Sequence, residues 1–79
     1  MFGLRLPCDA KFLDVQIQFG KPVAWFLVDD SQPYVFTYFG LGTTGNEIAP
    51  STARKKYLGT FMMGNDNLVF HLFGDVEKC

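Results

Sequence analysis

Gly40-Leu41-Gly42-Thr43-Thr44-Gly45 spells the ligand motif G-x-G-x-x-G, with Arg54, Lys55 and Lys56 a short way downstream. In a dinucleotide fold those glycines open a helix whose amides meet a pyrophosphate, inside a βαβ unit. Here Asn46-Glu47-Ile48-Ala49-Pro50 offers no such helix, and 79 residues exclude that fold. What remains is a candidate anion or nucleotide nest: Gly40, Gly42, Thr43, Thr44 and Gly45 form its rim, and Arg54 and Lys55 supply countercharge. The plainer reading is a glycine-rich connector beside a solvated basic patch.

The other reactive side chains stand apart from one another. His71 is the single histidine and falls between Val69 and Phe73 on one strand face. Without Cys or carboxylate neighbours at ligand spacing it cannot build a zinc site, so it reads as a hydrogen-bonded interior or interface residue. Cys8 and Cys79 lack C-x-x-C spacing; Cys8 is expected to pack as a thiol and Cys79 to face solvent, without a disulfide between them. Asp29 and Asp30 are adjacent, point to opposite faces of a strand end, and read as a strand stop and turn rather than paired acid–base carboxylates. No nucleophile, base and orienting group share a face. The chain is expected to be no enzyme and to need no cofactor or metal.

The elements that position these residues are strands. Leu13, Val15, Ile17 and Phe19 alternate with Asp14, Gln16 and Gln18, which is one dry face and one wet face. Gly20-Lys21-Pro22 reads as a turn into a second arm, Val23–Val28, that is apolar on both faces. Asp29–Pro33 turns the chain again, Tyr34–Phe39 is a strand, and Tyr57–Met63 and Leu68–Phe73 form a hairpin around Gly64-Asn65-Asp66-Asn67. Regular alternation stops from Gly40 to Lys56, a long connection with at most one helical turn near 51–56, capped by Ser51. The tail 74–79 is expected to fray. The fold class is all-β: a small antiparallel meander of five to six strands in one domain, 1–79, strongly curled or a partial barrel.

Nine Phe, three Tyr and one Trp make the core one of rings. A chain of 79 residues buries only roughly 60% of its unfolded surface, so it cannot hide them all. Both faces of Tyr34–Phe39 and of Trp25–Val28 are apolar. Either the sheet curls over itself or a second copy covers it, and a homodimer is the favoured oligomer. Trp25, Phe26, Tyr34, Phe36, Tyr38 and Tyr57 are the side-chain types that anchor protein interfaces. A net charge of −1 gives no footprint for duplex nucleic acid. No apolar run reaches membrane-span length, and Met1–Pro7 lacks a signal-peptide layout.

Leu6-Pro7, Ala10–Gln18, Gly20-Lys21-Pro22, Trp25–Asp29, the Gly40–Gly42 pair, Tyr57-Leu58-Gly59-Thr60-Phe61 and Leu68–Phe73 together resemble a family of short uncharacterised proteins encoded by bacteriophages and prophages. The likeness spans Leu6 to Phe73 and rests on the order of V-Q-x-Q-x-G-x-P, W-x-L-V-D, G-x-G, Y-x-G-T-F and L-V-F-H-x-F, each weak alone. Members usually carry a further stretch before the position of Leu4, so a first edge strand is expected to be shortened here. The resemblance implies a phage protein acting in the host cytoplasm. Its expected function is a non-enzymatic inhibitor of a bacterial defence or host protein, for example a CRISPR effector, working by protein contact. The alternatives are a sponge for a cyclic nucleotide or related phosphate-bearing signal, and a structural or assembly accessory of the phage.

Overall fold

Alternation at a period of two does become strands. The computed structural model describes residues 2–64 and 68–76. It holds β1 (Phe2–Pro7), β2 (Lys11–Gln18), β3 (Lys21–Leu27), β4 (Tyr34–Thr43), α1 (Pro50–Ala53), β5 (Lys56–Met63) and β6 (Leu68–Gly74). Every pairing is antiparallel, as the all-β reading expects. The order is not a meander, however. β1-β4-β6-β5 make one sheet and β2-β3 a separate hairpin, and neither closes into a barrel. The length of β4 decides this: Tyr34–Phe39 pair with β1 while Phe39–Thr43 pair with β6 on the other side.

Register assigns the faces, because residues opposite one another across a ladder project to the same side. The inner face carries Phe2, Leu4 and Leu6 of β1, Val35, Thr37, Phe39 and Leu41 of β4, and Leu72, Phe70 and Phe61 beyond them. The hairpin lies against it through Phe12, Val15 and Phe26, giving a core of Val15, Phe39, Phe61, Leu72 and Val76. Phe39 sits at its centre, 1% exposed, with Phe26 edge-on at 5.9 Å and Phe2 stacked at 5.5 Å. The whole measures 42 × 30 × 15 Å, a thin slab.

Several local expectations are corrected. In β2 a bulge at Leu13 shifts the register between Phe12 and Asp14, so the face turned to the core carries Phe12, Val15 and Ile17, the last of them exposed, while Leu13 turns to solvent. The turn after it is Phe19-Gly20, not Gly20-Lys21-Pro22, with Gln18 opposite Lys21. Pro22 lies inside β3, opposite Ile17. That position tolerates it because β3 pairs on one side only within its sheet. The helical turn starts at Pro50, with Ala49 rather than Ser51 at the cap and no side-chain cap bond; proline at the first helical position is pre-set for that conformation.

The ends also differ from expectation. β1 pairs with β4 from Phe2 to Pro7. Gly74 and Val76 are buried, and the Asp75 amide donates to the Tyr38 carbonyl at 3.0 Å, so this part of the tail is docked. Cys8 is disulfide-bonded rather than a packing thiol; Cys79 lies outside the described residues. Of the expected Gly64-Asn65-Asp66-Asn67 turn, Gly64 has φ 75° and lies just past the point where the register closes with Met63 opposite Leu68, and Asn65-Asp66-Asn67 lie outside the described residues.

Candidate functional site

The outer face of the sheet carries a stripe of rings. Tyr34, Phe36 and Tyr38 alternate along β4 and so line one side. Opposite them on β1 stand Pro7, Arg5 and Gly3. Phe36 and Tyr38 stack with centroids 6.3 Å apart and planes 21° from parallel. The Arg5 guanidinium carbon lies 6.0 Å from the Phe36 ring centroid, an exposed cation–π contact of the kind worth about 0.5–1 kcal/mol. The Tyr38 ring leans across Gly3, 3.1 Å from where a β-carbon would stand. All three rings are open to water, at 50%, 63% and 47%.

The remaining aromatics expected to dock are dispersed. Tyr57 shares the outer face but stands on β5 against Phe73, centroids 5.7 Å apart. Trp25 points away from the core on the hairpin, opposite Asp14. Phe26 is a correction: it turns inward between Phe12 and Phe39, so it packs the core. Arg5 was not singled out in the sequence, because only the β1–β4 register brings it to Phe36.

The anion set is not gathered. Gly40, Gly42 and Thr43 belong to β4 and pair with Phe73, His71 and Phe70, so this stretch is strand rather than loop. Gly40 is required for close packing: a β-carbon there would lie 2.3 Å from Thr52 Oγ1 of α1. At Gly42 it would lie 2.9 Å from Ile48. The Thr43 hydroxyl accepts from Asn46 Nδ2 at 2.6 Å, and the Thr44 amide donates to the Val69 carbonyl at 3.2 Å. Lys55 Nζ pairs with Asp75 Oδ2 at 3.0 Å, and Arg54 Nε donates to the Pro50 carbonyl at 3.3 Å. Gly45 sits in the turn beyond, with φ 87°.

A polar chain crosses the outer face beside α1. His71 Nε2 lies 2.9 Å from Thr44 Oγ1 and Nδ1 lies 3.0 Å from Thr60 Oγ1, which itself bonds to the Tyr57 hydroxyl. His71 is the hydrogen-bonded residue the sequence suggested, half-buried with both ring nitrogens engaged. Thr44 and Thr60 were missed as its partners, although Thr60 stands directly opposite it on β5. The arrangement fastens the segment after β4 to the sheet.

At the turn into β4, Asp29 Oδ1 accepts from the Ser31 hydroxyl at 2.6 Å and the Ser31 amide at 2.9 Å. Those two bonds, the hydroxyl's first, hold the Asp29 carboxyl below its ordinary 3.8. Asp29 thus starts a turn, as its sequence setting implies. The Tyr34 hydroxyl donates to Asp30 at 3.4 Å, tying that turn to the ring stripe.

Among the described residues no helix is long and apolar enough to cross a membrane. No curated protein and no solved structure matches the chain. A family model described as a domain of unknown function (DUF7352) matches residues 2–78. With the likeness running through all six strands, the chain belongs to the DUF7352 family.

Proposed function

We propose that this chain is a non-enzymatic binding protein that docks on another protein through the Arg5, Tyr34, Phe36 and Tyr38 stripe. One observation carries the reading: three rings and a guanidinium stand side by side on one sheet face, the rings roughly half or more exposed and touching mainly one another. Tyr and Arg are enriched among residues that dominate interface energy, and rings on a strand lose little side-chain entropy when covered. The phage resemblance directs the choice of partner to a bacterial defence protein, with a CRISPR effector as the first to try.

The test is expression of the chain in bacteria that carry active CRISPR interference, with immobilised protein used in parallel to capture partners from their lysate. The unaltered chain should relieve interference and retain one defence protein stoichiometrically. Phe36→Lys, at an exposed position, should keep the fold and weaken capture by at least about tenfold, as loss of an interface anchor does. Interference that persists with the unaltered chain, together with an empty capture, rejects the proposal.

A further inference from the structure

The hairpin and the sheet meet over only part of their apolar faces, at the core around Val15, Phe26, Phe39 and Leu72. Register places Ile17, Pro22 and Ala24 on the hairpin face that packs through Val15 and Phe26, yet all three are exposed. On the sheet, Phe2, Leu4, Leu41 and Leu68 lie on the face that packs through Phe39 and Leu72, and they too are exposed. One layer therefore overhangs, and the other is left partly bare. Neither patch belongs to the outer ring stripe.

The hairpin tip adds a second, independent observation. Phe19 and Gly20 both have positive φ, 51° and 75°, the mirror-image turn that suits a two-residue hairpin. Asn or Asp before glycine fits that turn without strain, whereas a bulky side chain there is an outlier. Phe19 is nevertheless fully exposed, at 101%, so it gains nothing from its own protomer in return. Strain held in this way points to a contact outside the chain.

We propose that the occupant is a second copy. In a two-fold dimer each β2–β3 hairpin lies across the bare inner sheet of the other protomer, seating Ile17, Phe19 and Pro22 against Leu4, Leu41 and Leu68. The pairing of layers is the one this sequence already makes within a protomer, where Val15 and Phe26 meet Gly59 and Phe39. The exposed parts of Phe2, Leu4, Ile17, Phe19, Leu41 and Leu68 come to roughly 600 Å² per protomer, near the ~800 Å² each partner of a stable complex buries. Exchange about a two-fold axis uses both patches at once and closes the assembly.

Analytical ultracentrifugation across the micromolar range tests this. The unaltered chain should sediment at twice 8.9 kDa. Phe19→Asn, which suits the turn better and so preserves the fold, should weaken the dimer by at least about tenfold. Ile17→Lys and Leu41→Glu should each give folded monomers by circular dichroism. Mixed, those two should form a heterodimer, because one interface is then unaltered and the other pairs lysine with glutamate. A monomer at every concentration, a dimer indifferent to Phe19→Asn and Leu41→Glu, or a mixture that stays monomeric would each overturn the proposal. A dimer lost instead on Phe36→Lys would move the contact to the outer face and overturn it too. These masses are read without the bacterial partner, so this inference and the docking proposal fail separately.

Discussion

Phe39 lies across Gly74: the two face each other on β4 and β6, and a β-carbon at Gly74 would stand 2.5 Å from Cδ2 of the ring. The missing side chain is what allows the ring to lie flat against the neighbouring strand and become the most buried large group described. Gly74→Ala should therefore cost about 1–3 kcal/mol through overpacking. Phe39→Ala should cost about 3–5 kcal/mol through the cavity it leaves. Urea unfolding measures both, and a Gly74→Ala variant as stable as the parent would show that the ring can move aside.

Gly40 and Thr52 stand in the same relation on the outer face, where α1 meets β4. Gly40→Ala should destabilise by about 1–3 kcal/mol, since the new methyl meets both the hydroxyl and the methyl of Thr52. Thr52→Gly introduced with it should recover part of the loss, giving a coupling of about 0.5–3 kcal/mol in a double-mutant cycle. Strictly additive effects would separate the two residues.

His71 joins Thr44 to Thr60, so its replacement should loosen the segment after β4 before it affects the core. His71→Phe keeps a ring of similar size and removes both bonds, at about 1–2 kcal/mol in all. Amide exchange should quicken at Thr44 and Asn46, whose N–H groups donate to Val69 and Thr43. Unchanged exchange there would leave the histidine with a packing role alone.

The Asp29 turn makes a prediction with a definite sign. Because the folded carboxyl titrates below 3.8, the turn's bonds contribute fully above the ordinary carboxylate range and are lost as pH falls through the lowered value. NMR titration should show the Ser31 amide moving at a pH lower than that of a free aspartate. Ser31→Ala removes the larger cause and should move that midpoint upward. A midpoint that stays where it was would mean the hydroxyl contributes nothing.

Much of the fold is legible in the chain because a period of two is a local property. Tyr34–Phe39, Tyr57–Met63 and Leu68–Phe73 each alternate strongly enough to be read one strand at a time, and the Asp29 turn follows from its own side chains. The Leu13 bulge and the Phe19-Gly20 turn escape such a reading. The bulge puts Phe12 in place of Leu13 on the inward face while Val15 and Ile17 stay there, and the turn carries Lys21 and Pro22 into β3; a bulge leaves composition unchanged while exchanging faces on one side of it.

Sequence by itself determined that this is an antiparallel β protein with more aromatic surface than one protomer of 79 residues can cover. Tertiary structure alone decided where that surplus lies. Pairing β4 with β1 on one side and β6 on the other puts Arg5 beside Phe36 and leaves Tyr38 outside, while the docking of the hairpin sets Phe26 against Phe39. It also decided that Gly40 and Gly42 serve packing, since a glycine's need for space is set here by Thr52 of α1 and by Ile48 before it, which reach these positions only once the chain after β4 has folded back over the sheet. Propensity acts between neighbours along the chain, whereas register and close approach act between residues that only the complete fold makes neighbours.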